Sequence, residues 1–157
     1  MAAKFNFSKH YFLLVLCACF SMAAQNPDLL ELMSESQERL TVLSSANLAQ
    51  QKLKKLDLQL TRDGFFRLRR TYLNGKQEYF SFSFSEFEEM NYLGTTQSGT
   101  LILKAQPESI IVQTFRDSRG NIDTMATTLK LPLQQLEAAD LNMLQDCFQR
   151  IKERLKR

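Results

Sequence analysis

The chain has 157 residues, of which 44% are hydrophobic and 24% charged, and its formal net charge at pH 7 is +3. This length suits one globular domain. Of the three cysteines, Cys17 and Cys19 lie in an N-terminal segment that we expect to be removed, which leaves Cys147 alone. Without a disulfide pair, the domain must depend on its apolar core for stability.

The first 24 residues predict a secretory signal peptide. Lys4 and Lys9 form a basic start, residues 11–20 form an apolar run too short to span a bilayer, and residues 21–24 form a small-residue exit. Cleavage there would leave residues 25–157 as a single domain with 18 Lys and Arg against 17 Asp and Glu. So small a charge gives no reason to expect a nucleic-acid partner. We expect a periplasmic, envelope-associated or extracellular protein.

A second processing site competes with the first. Residues 16–19 (LCAC) resemble a bacterial lipobox, in which Cys19 would become a lipidated first residue. Only in that case is peripheral contact with a membrane expected. Cysteine at the second position of the motif and Phe20 directly after it both count against lipidation.

The segment after the signal predicts a helix. Asn26, as the cap, Pro27, at the first helical position, and Asp28, in the first turn, form a helix start, and leucines follow at mostly helical spacing. The pattern predicts a helix over most of 27–55, with a kink near residue 45.

Residues 65–84 (FFRLRRTYLNGKQEYFSFSF) predict a β-hairpin. A two-residue turn at the Asn-Gly dipeptide would set arginines opposite phenylalanines, whereas a three-residue loop over 73–75 pairs Leu68 with Phe80. The predicted register therefore pairs residues whose numbers sum to 148, with Gly75 in the left-handed conformation. Its phenylalanine face predicts a core position, at the centre of the sheet rather than at an edge.

The rest of the chain predicts more strands and a final helix. Residues 85–99 form the longest irregular passage, strands follow over 100–105, 109–116 and 122–131, and a proline then stops the sheet. In the last segment, Asp140 caps an amphipathic helix. The predicted fold is α+β: an N-terminal helix, an antiparallel meander sheet of about six strands, and a C-terminal helix, with both helices on one sheet face.

Few residues are suited to catalysis. Residues 25–157 contain no histidine, so the usual general base and metal ligand are missing, and Cys147 fits a small buried hydrophobe better than a nucleophile. We expect no catalytic residues, metal or cofactor. The best candidate binding loop is acidic and carries a tyrosine: Glu86, Glu88, Glu89 and Tyr92. A solvated turn, or a short helix with Phe87 and Met90 packed inward, is favoured over a functional loop.

Arg67 and Arg69 alternate with the apolar residues of their strand and predict a basic surface on the far side of the sheet. The favoured hypothesis is an exported, non-catalytic binding domain whose partner is an unknown protein or envelope component. The alternative is a small hydrolase that depends on carboxylates such as Glu86 and Glu89.

Overall fold

The computed structural model describes residues 28–46 and 48–156. The predicted signal peptide, Cys19, Asn26 and Pro27 lie outside this range. The described helices and strands, in chain order, are α1 (Leu29–Ser45), β1 (Leu53–Leu60), β2 (Phe65–Tyr72), β3 (Gln77–Ser83), a short 3-10 helix (Phe84–Glu86), β4 (Phe87–Gly94), β5 (Ser98–Ala105), β6 (Ile110–Phe115), β7 (Asp123–Ala126), β8 (Thr128–Gln134) and α2 (Ala138–Leu155).

Within the described residues the strands form two antiparallel sheets. The five-stranded sheet has the order β1-β2-β3-β6-β7, and the three-stranded sheet has the order β4-β5-β8. The predicted α+β class, with a helix at each end of a run of strands, is confirmed. The expectation of a single meander of about six strands is wrong, because the chain leaves the first sheet after β3, returns for β6 and β7, and leaves it again.

The predicted β2–β3 hairpin is confirmed in detail. Phe66 pairs with Phe82 and Leu68 with Phe80, the register in which paired numbers sum to 148. Gly75 has a φ of +86°, the left-handed conformation that the three-residue loop requires. The hairpin also lies inside the sheet, flanked by β1 and β6.

The predicted helix over 27–55 is wrong beyond residue 45, because β1 begins at Leu53. A β-bulge explains the misleading pattern: Leu53 pairs with Tyr72 and Lys55 with Thr71, so one extra residue lies between them. The bulge lets Leu53 and Leu56 face the core although they are three positions apart, a spacing more typical of helices.

The predicted irregular passage over 85–99 is also wrong, since it contains β4 and the start of β5. A bulge again hides the strand. Phe87 pairs with Ala105 and Glu89 with Lys104, which leaves Glu88 as the extra residue. Phe87 and Met90 are both buried, three positions apart.

The predicted strand over 122–131 divides between the two sheets. Its first part is β7, which pairs with β6, and its second part is β8, which pairs with β5. Pro132 does not stop the sheet but lies inside β8, opposite Thr100. A proline is tolerated there because β8 is an edge strand, so one side of its backbone needs no ladder bond.

Both helices begin at residues other than those expected. Asp28 caps α1 by accepting a hydrogen bond from the backbone N–H of Leu29 at 2.7 Å. Asp140 lies inside the first turn of α2, where its carboxylate accepts from the N–H of Glu137 at 3.0 Å. That carboxylate also accepts two hydrogen bonds of 2.6 Å from Arg39, which joins α2 to α1. No helix in the described part of the chain is both long and apolar enough to cross a membrane.

The buried side chains of the described residues form one core shared by both sheets and both helices. Phe66 stacks on Phe82 with ring centroids 5.2 Å apart, and Phe84 contacts Phe148 of α2 at 5.1 Å. Helix α1 lies against β1, β8 and α2. The phenylalanine-rich face is therefore the core, as predicted, and no described helix or strand packs on the opposite face of the five-stranded sheet.

Candidate functional site: the outer face of the five-stranded sheet

We define the outer face as the surface of the five-stranded sheet that points away from the core. Side chains alternate along each strand, so the pairing between strands places every second residue on this face in rows that cross the sheet. One row is Asp57, Arg69, Tyr79, Gln113 and Asp123, and the next is Gln59, Arg67, Ser81, Ile111 and Met125.

Interactions between neighbouring strands fix the polar half of the outer face. Arg69 forms an ion pair with Asp57 at 2.8 Å, and its guanidinium lies 5.8 Å from the ring centroid of Tyr79, as the predicted register allows. Burial opposes ionisation of Asp57, but hydrogen bonds from Lys55 and Arg69 outweigh it, and the pKa of Asp57 lies below its ordinary value. The carboxylate is therefore charged at neutral pH and holds Arg69 in place.

Arg67 is different, because it forms no ion pair with any described residue. Its guanidinium lies 5.6 Å from the ring of Phe65, and the residue is exposed. A cation with no acidic neighbour can accept an anionic group from a ligand without first breaking an internal ion pair. Both arginines lie on the exposed side of β2, as the sequence predicts.

On β6 and β7 the outer face carries exposed apolar side chains. Ile111, Phe115 and Met125 are 41%, 45% and 47% exposed, and Ile111 is the direct cross-strand partner of Met125. Phe115 packs edge-on against Tyr79 at 5.3 Å. The polar Gln113–Asp123 pair separates Phe115 from Ile111 and Met125 on this face. The adjacent pair Ile111 and Met125 is exposed apolar surface of the kind that marks an interaction site.

The acidic residues proposed as a binding loop lie instead on and beside β4. Glu88 and Glu89 are exposed and reach Lys104 of β5 at 3.8 and 3.6 Å. Tyr92 donates its hydroxyl to the carbonyl of Thr95 at 2.7 Å. Glu86, in the 3-10 helix, accepts a hydrogen bond from the hydroxyl of Ser85 at 3.4 Å.

The alternative hypothesis of a hydrolase concerns Glu86 and Glu89. Carboxylates that catalyse glycoside hydrolysis must face each other across a cleft, whereas Glu86 accepts a hydrogen bond from Ser85 and Glu89 lies beside Lys104. In the described part of the chain, no group of three or more potential ligand side chains lies close enough to hold a metal ion. Cys147 is buried on α2, where burial raises the pKa of its thiol, as is typical of a core cysteine.

A charged cluster at one end of the sheet was only half predicted from the sequence. The hairpin register places Arg70 opposite Glu78, and their side chains lie 3.7 Å apart. Lys76 extends the cluster by contacting both Glu78 and Asp117 at 2.9 Å. Asp117 lies in the turn between β6 and β7, so Lys76 ties two hairpins together, and no local pattern in the sequence indicates that contact.

Comparison with known proteins gives no relative from which a function could be transferred: no family model, no curated protein and no solved structure matches the chain.

Proposed function

We propose that the protein is an exported, non-catalytic binding domain of the cell envelope or the exterior, and that its partner contacts the outer face. Export rests on the basic, apolar and small-residue order of residues 1–24. The partner is a protein or envelope component that carries an anionic group beside an apolar surface.

One observation carries the binding proposal: a single cross-strand row has an unpaired cation, Arg67, on its second strand and an apolar pair, Ile111 and Met125, on its last two strands. Arg67 lies three strands from Met125, about 14 Å at the usual spacing between strands. Asp57, Arg69 and Tyr79 interact along the neighbouring row, and the ladders of β3, β6 and β7 fix the spacing of the strands, so the backbone positions of Arg67 and Met125 are set before a partner arrives. Such preorganisation lowers the entropic cost of binding.

Affinity capture from the protein's own envelope fraction tests the proposal. The captures use the wild type, Arg67→Glu and, as a control, Lys130→Glu, which makes the same charge change on an exposed residue of β8 in the other sheet. We expect wild type and Lys130→Glu to recover the same partner, and Arg67→Glu to recover roughly tenfold less, since a charged hydrogen bond contributes about 1.5 kcal/mol or more. Equal recovery by all three proteins would place the binding surface elsewhere.

Export is tested separately, by intact mass and N-terminal sequencing of the protein isolated from its native cells. A chain that starts at Gln25 supports ordinary cleavage after Ala24, and an acylated start at Cys19 supports a lipoprotein. An uncleaved chain in the cytoplasm would contradict the proposed localisation.

A further inference from the structure

The two sheets formed by the described strands have four edge strands, and three of them are protected against the addition of another strand. Strand β1 has a bulge, and the side chain of Gln37 occupies the N–H of Leu60 at 2.8 Å. Strand β8 contains Pro132. Strand β7 has only four residues, and just beyond it the carbonyl of Thr127 accepts a hydrogen bond from Ala105 of β5 at 3.0 Å.

Strand β4, the fourth edge, is protected only along its first part. The bulge at Glu88 and the exposed Glu89 both lie within residues 87–89. Residues 90–94 pair regularly with β5 and contain no proline and no charged side chain. Among the described strands, β4 pairs with β5 alone, so the other backbone edge of residues 90–94 is open.

The hairpin between β4 and β5 decides which backbone groups are open. One step beyond the last ladder pair, the N–H of Thr95 donates to the carbonyl of Ser98 at 2.9 Å, which makes these two residues a hydrogen-bonded pair. Such pairs alternate along an antiparallel ladder, so every second residue counted back from Thr95 points its backbone groups towards β5. The N–H and carbonyl groups of Met90 and Tyr92 therefore point away from the sheet, and no backbone group of another described residue occupies them.

A furrow of about 590 Å³ runs beside this edge, between β4 and helix α2. Residues 87–91 form its strand wall, and its helix wall consists of polar side chains that recur at the spacing of one helix face: Asn142, Gln145, Asp146 and Gln149. Three of the described lining residues carry carboxylates and none is basic. Lys104 and Arg150 contact these carboxylates from outside the lining, at 3.2 Å or more. The furrow therefore favours a cationic group.

We infer that the furrow binds an extended basic segment of another protein, which pairs antiparallel with residues 90–94 as a fourth strand of the three-stranded sheet. Open N–H and carbonyl groups at every second residue are the chemistry that recognises a peptide backbone in strand addition. The surface belongs to the other sheet from the outer face, so it is a second binding site and does not depend on the first.

The side chains of β4 define the partner further. Glu89 and Leu93 lie on the same face of the strand, four residues and about 14 Å apart. Leu93 is 66% exposed. The partner segment therefore carries a basic residue to meet Glu89 and, four positions away, an apolar residue to cover Leu93. A second copy of this chain would bring its own residues 90–94, which contain no basic residue and would leave the carboxylates unmatched.

The capped heptapeptide TLTTTKT is the probe. In the antiparallel register its leucine lies opposite Leu93 and its lysine opposite Glu89, and its third and fifth residues point their N–H groups at β4. We expect NMR titration of the purified chain, with peptide up to about 5 mM, to shift the amide signals of Met90 and Tyr92 with a Kd on the order of 1 mM.

Methylation of the peptide backbone separates strand pairing from other contacts. N-methylation of the third and fifth residues removes the two N–H groups that face β4 and should weaken binding roughly tenfold or more. N-methylation of the second and fourth residues removes two N–H groups that face away and should leave the affinity unchanged. Equal affinity of the two methylated peptides would overturn the inference.

Charge reversal tests the basic character of the partner. The peptide TLTTTET should bind the wild type roughly tenfold more weakly than TLTTTKT. Glu89→Lys should exchange this preference, whereas Glu38→Lys, the same charge change on an exposed residue of α1, should keep it. Arg67→Glu should also keep it, because Arg67 lies on the other sheet, so this result and that of the capture experiment are independent.

The NMR spectrum of each variant also shows whether it is folded. Three results would overturn the inference: no shift at Met90 and Tyr92, the same peptide preference in folded Glu89→Lys as in the wild type, or self-association of the chain that protects these two amides from hydrogen exchange before peptide is added.

Discussion

The β2–β3 and β6–β7 hairpins lie side by side in one sheet and differ in what covers them. In the first, the buried apolar residues lie on the inner face, where Phe66 and Phe82 are almost completely buried, and the aromatic rings on the outer face, Phe65 and Tyr79, lie beside arginines. In the second, apolar residues occupy both faces, and Ile111 and Met125 on the outer face are almost half exposed.

This difference shows that apolar residues alternate along a strand in two situations: when that face packs in the core, and when it stays exposed on the surface. In the central hairpin, the apolar face meets the core and the arginines of the other face meet water, which is what folding alone requires. In the edge hairpin, much of the apolar outer face stays exposed in the described fold, and Ile111 and Met125 are 41% and 47% exposed. Apolar surface that folding does not use is the feature that points to a partner.

The largest expected contrast is between two phenylalanines of this sheet. Phe82→Ala removes a ring from the core, and we expect it to lower the free energy of unfolding by about 3–5 kcal/mol. Phe115→Ala removes an exposed ring whose described aromatic contact is Tyr79, and should cost less than about 1 kcal/mol. Urea denaturation of both variants measures the contrast, and equal losses would mean that the outer face is covered by part of the same chain.

A smaller effect is expected where the two hairpins are joined by Lys76. Lys76→Met removes the contacts to Glu78 and Asp117, and we expect a loss of about 1–2 kcal/mol at neutral pH from the charged hydrogen bond of Glu78. Lys104→Met is the matched control, because its ion pairs with exposed glutamates are longer than 3.5 Å and should contribute less than about 1 kcal/mol.

The same variant should change the dependence of stability on pH. Burial opposes ionisation of Glu78, but hydrogen bonds from Lys76 and Tyr72 outweigh it, and the pKa lies below its ordinary value. Hydrogen bonds from Lys76 and from the N–H of Arg119 lower the pKa of Asp117. Lowered pKa values stabilise the fold above the unfolded-state pKa of about 4 and lose that effect as the pH falls further. Denaturation at several pH values should show a shallower acid loss in Lys76→Met than in the wild type; parallel curves would contradict this assignment.

Local patterns predicted the parts of the fold that depend on neighbours in sequence. The register of β2 and β3 followed from the alternation of Leu68 and Phe80 with arginines and serines, because a slip of one residue would bury charges. The apolar stripe of α2 was also predicted from a local pattern, the recurrence of apolar residues every three or four positions. Leu144, Phe148 and Ile151 of this stripe are all buried.

The errors arose where one residue is inserted into a strand or where contacts are distant in sequence. The bulges at Lys54 and Glu88 place buried apolar residues three positions apart in the sequence. That spacing is typical of a helix and breaks the alternation by which a strand is predicted. The division of 122–131 between two sheets depends on which earlier strand each half pairs with. For the candidate site, Arg67 and Arg69 were found by alternation along β2. The exposed apolar residues of β6 and β7 were missed, because the sequence around Ile111 would look the same whether its side chain were buried or exposed.

The smallest expected effect concerns the turns of the two hairpins, where we expect no difference between the central and the edge hairpin. Gly75 and Gly120 have φ values of +86° and +101°, and a Cβ added at either would meet no atom within 4 Å. Alanine at either position should therefore cost about 1 kcal/mol, from the left-handed backbone alone. Urea denaturation should give the same loss for Gly75→Ala and Gly120→Ala, since a backbone conformation costs the same whether its hairpin is central or at an edge. A clearly larger loss at Gly75 would show that alanine also disturbs the three-residue loop, and with it the register that buries Phe66 and Phe82.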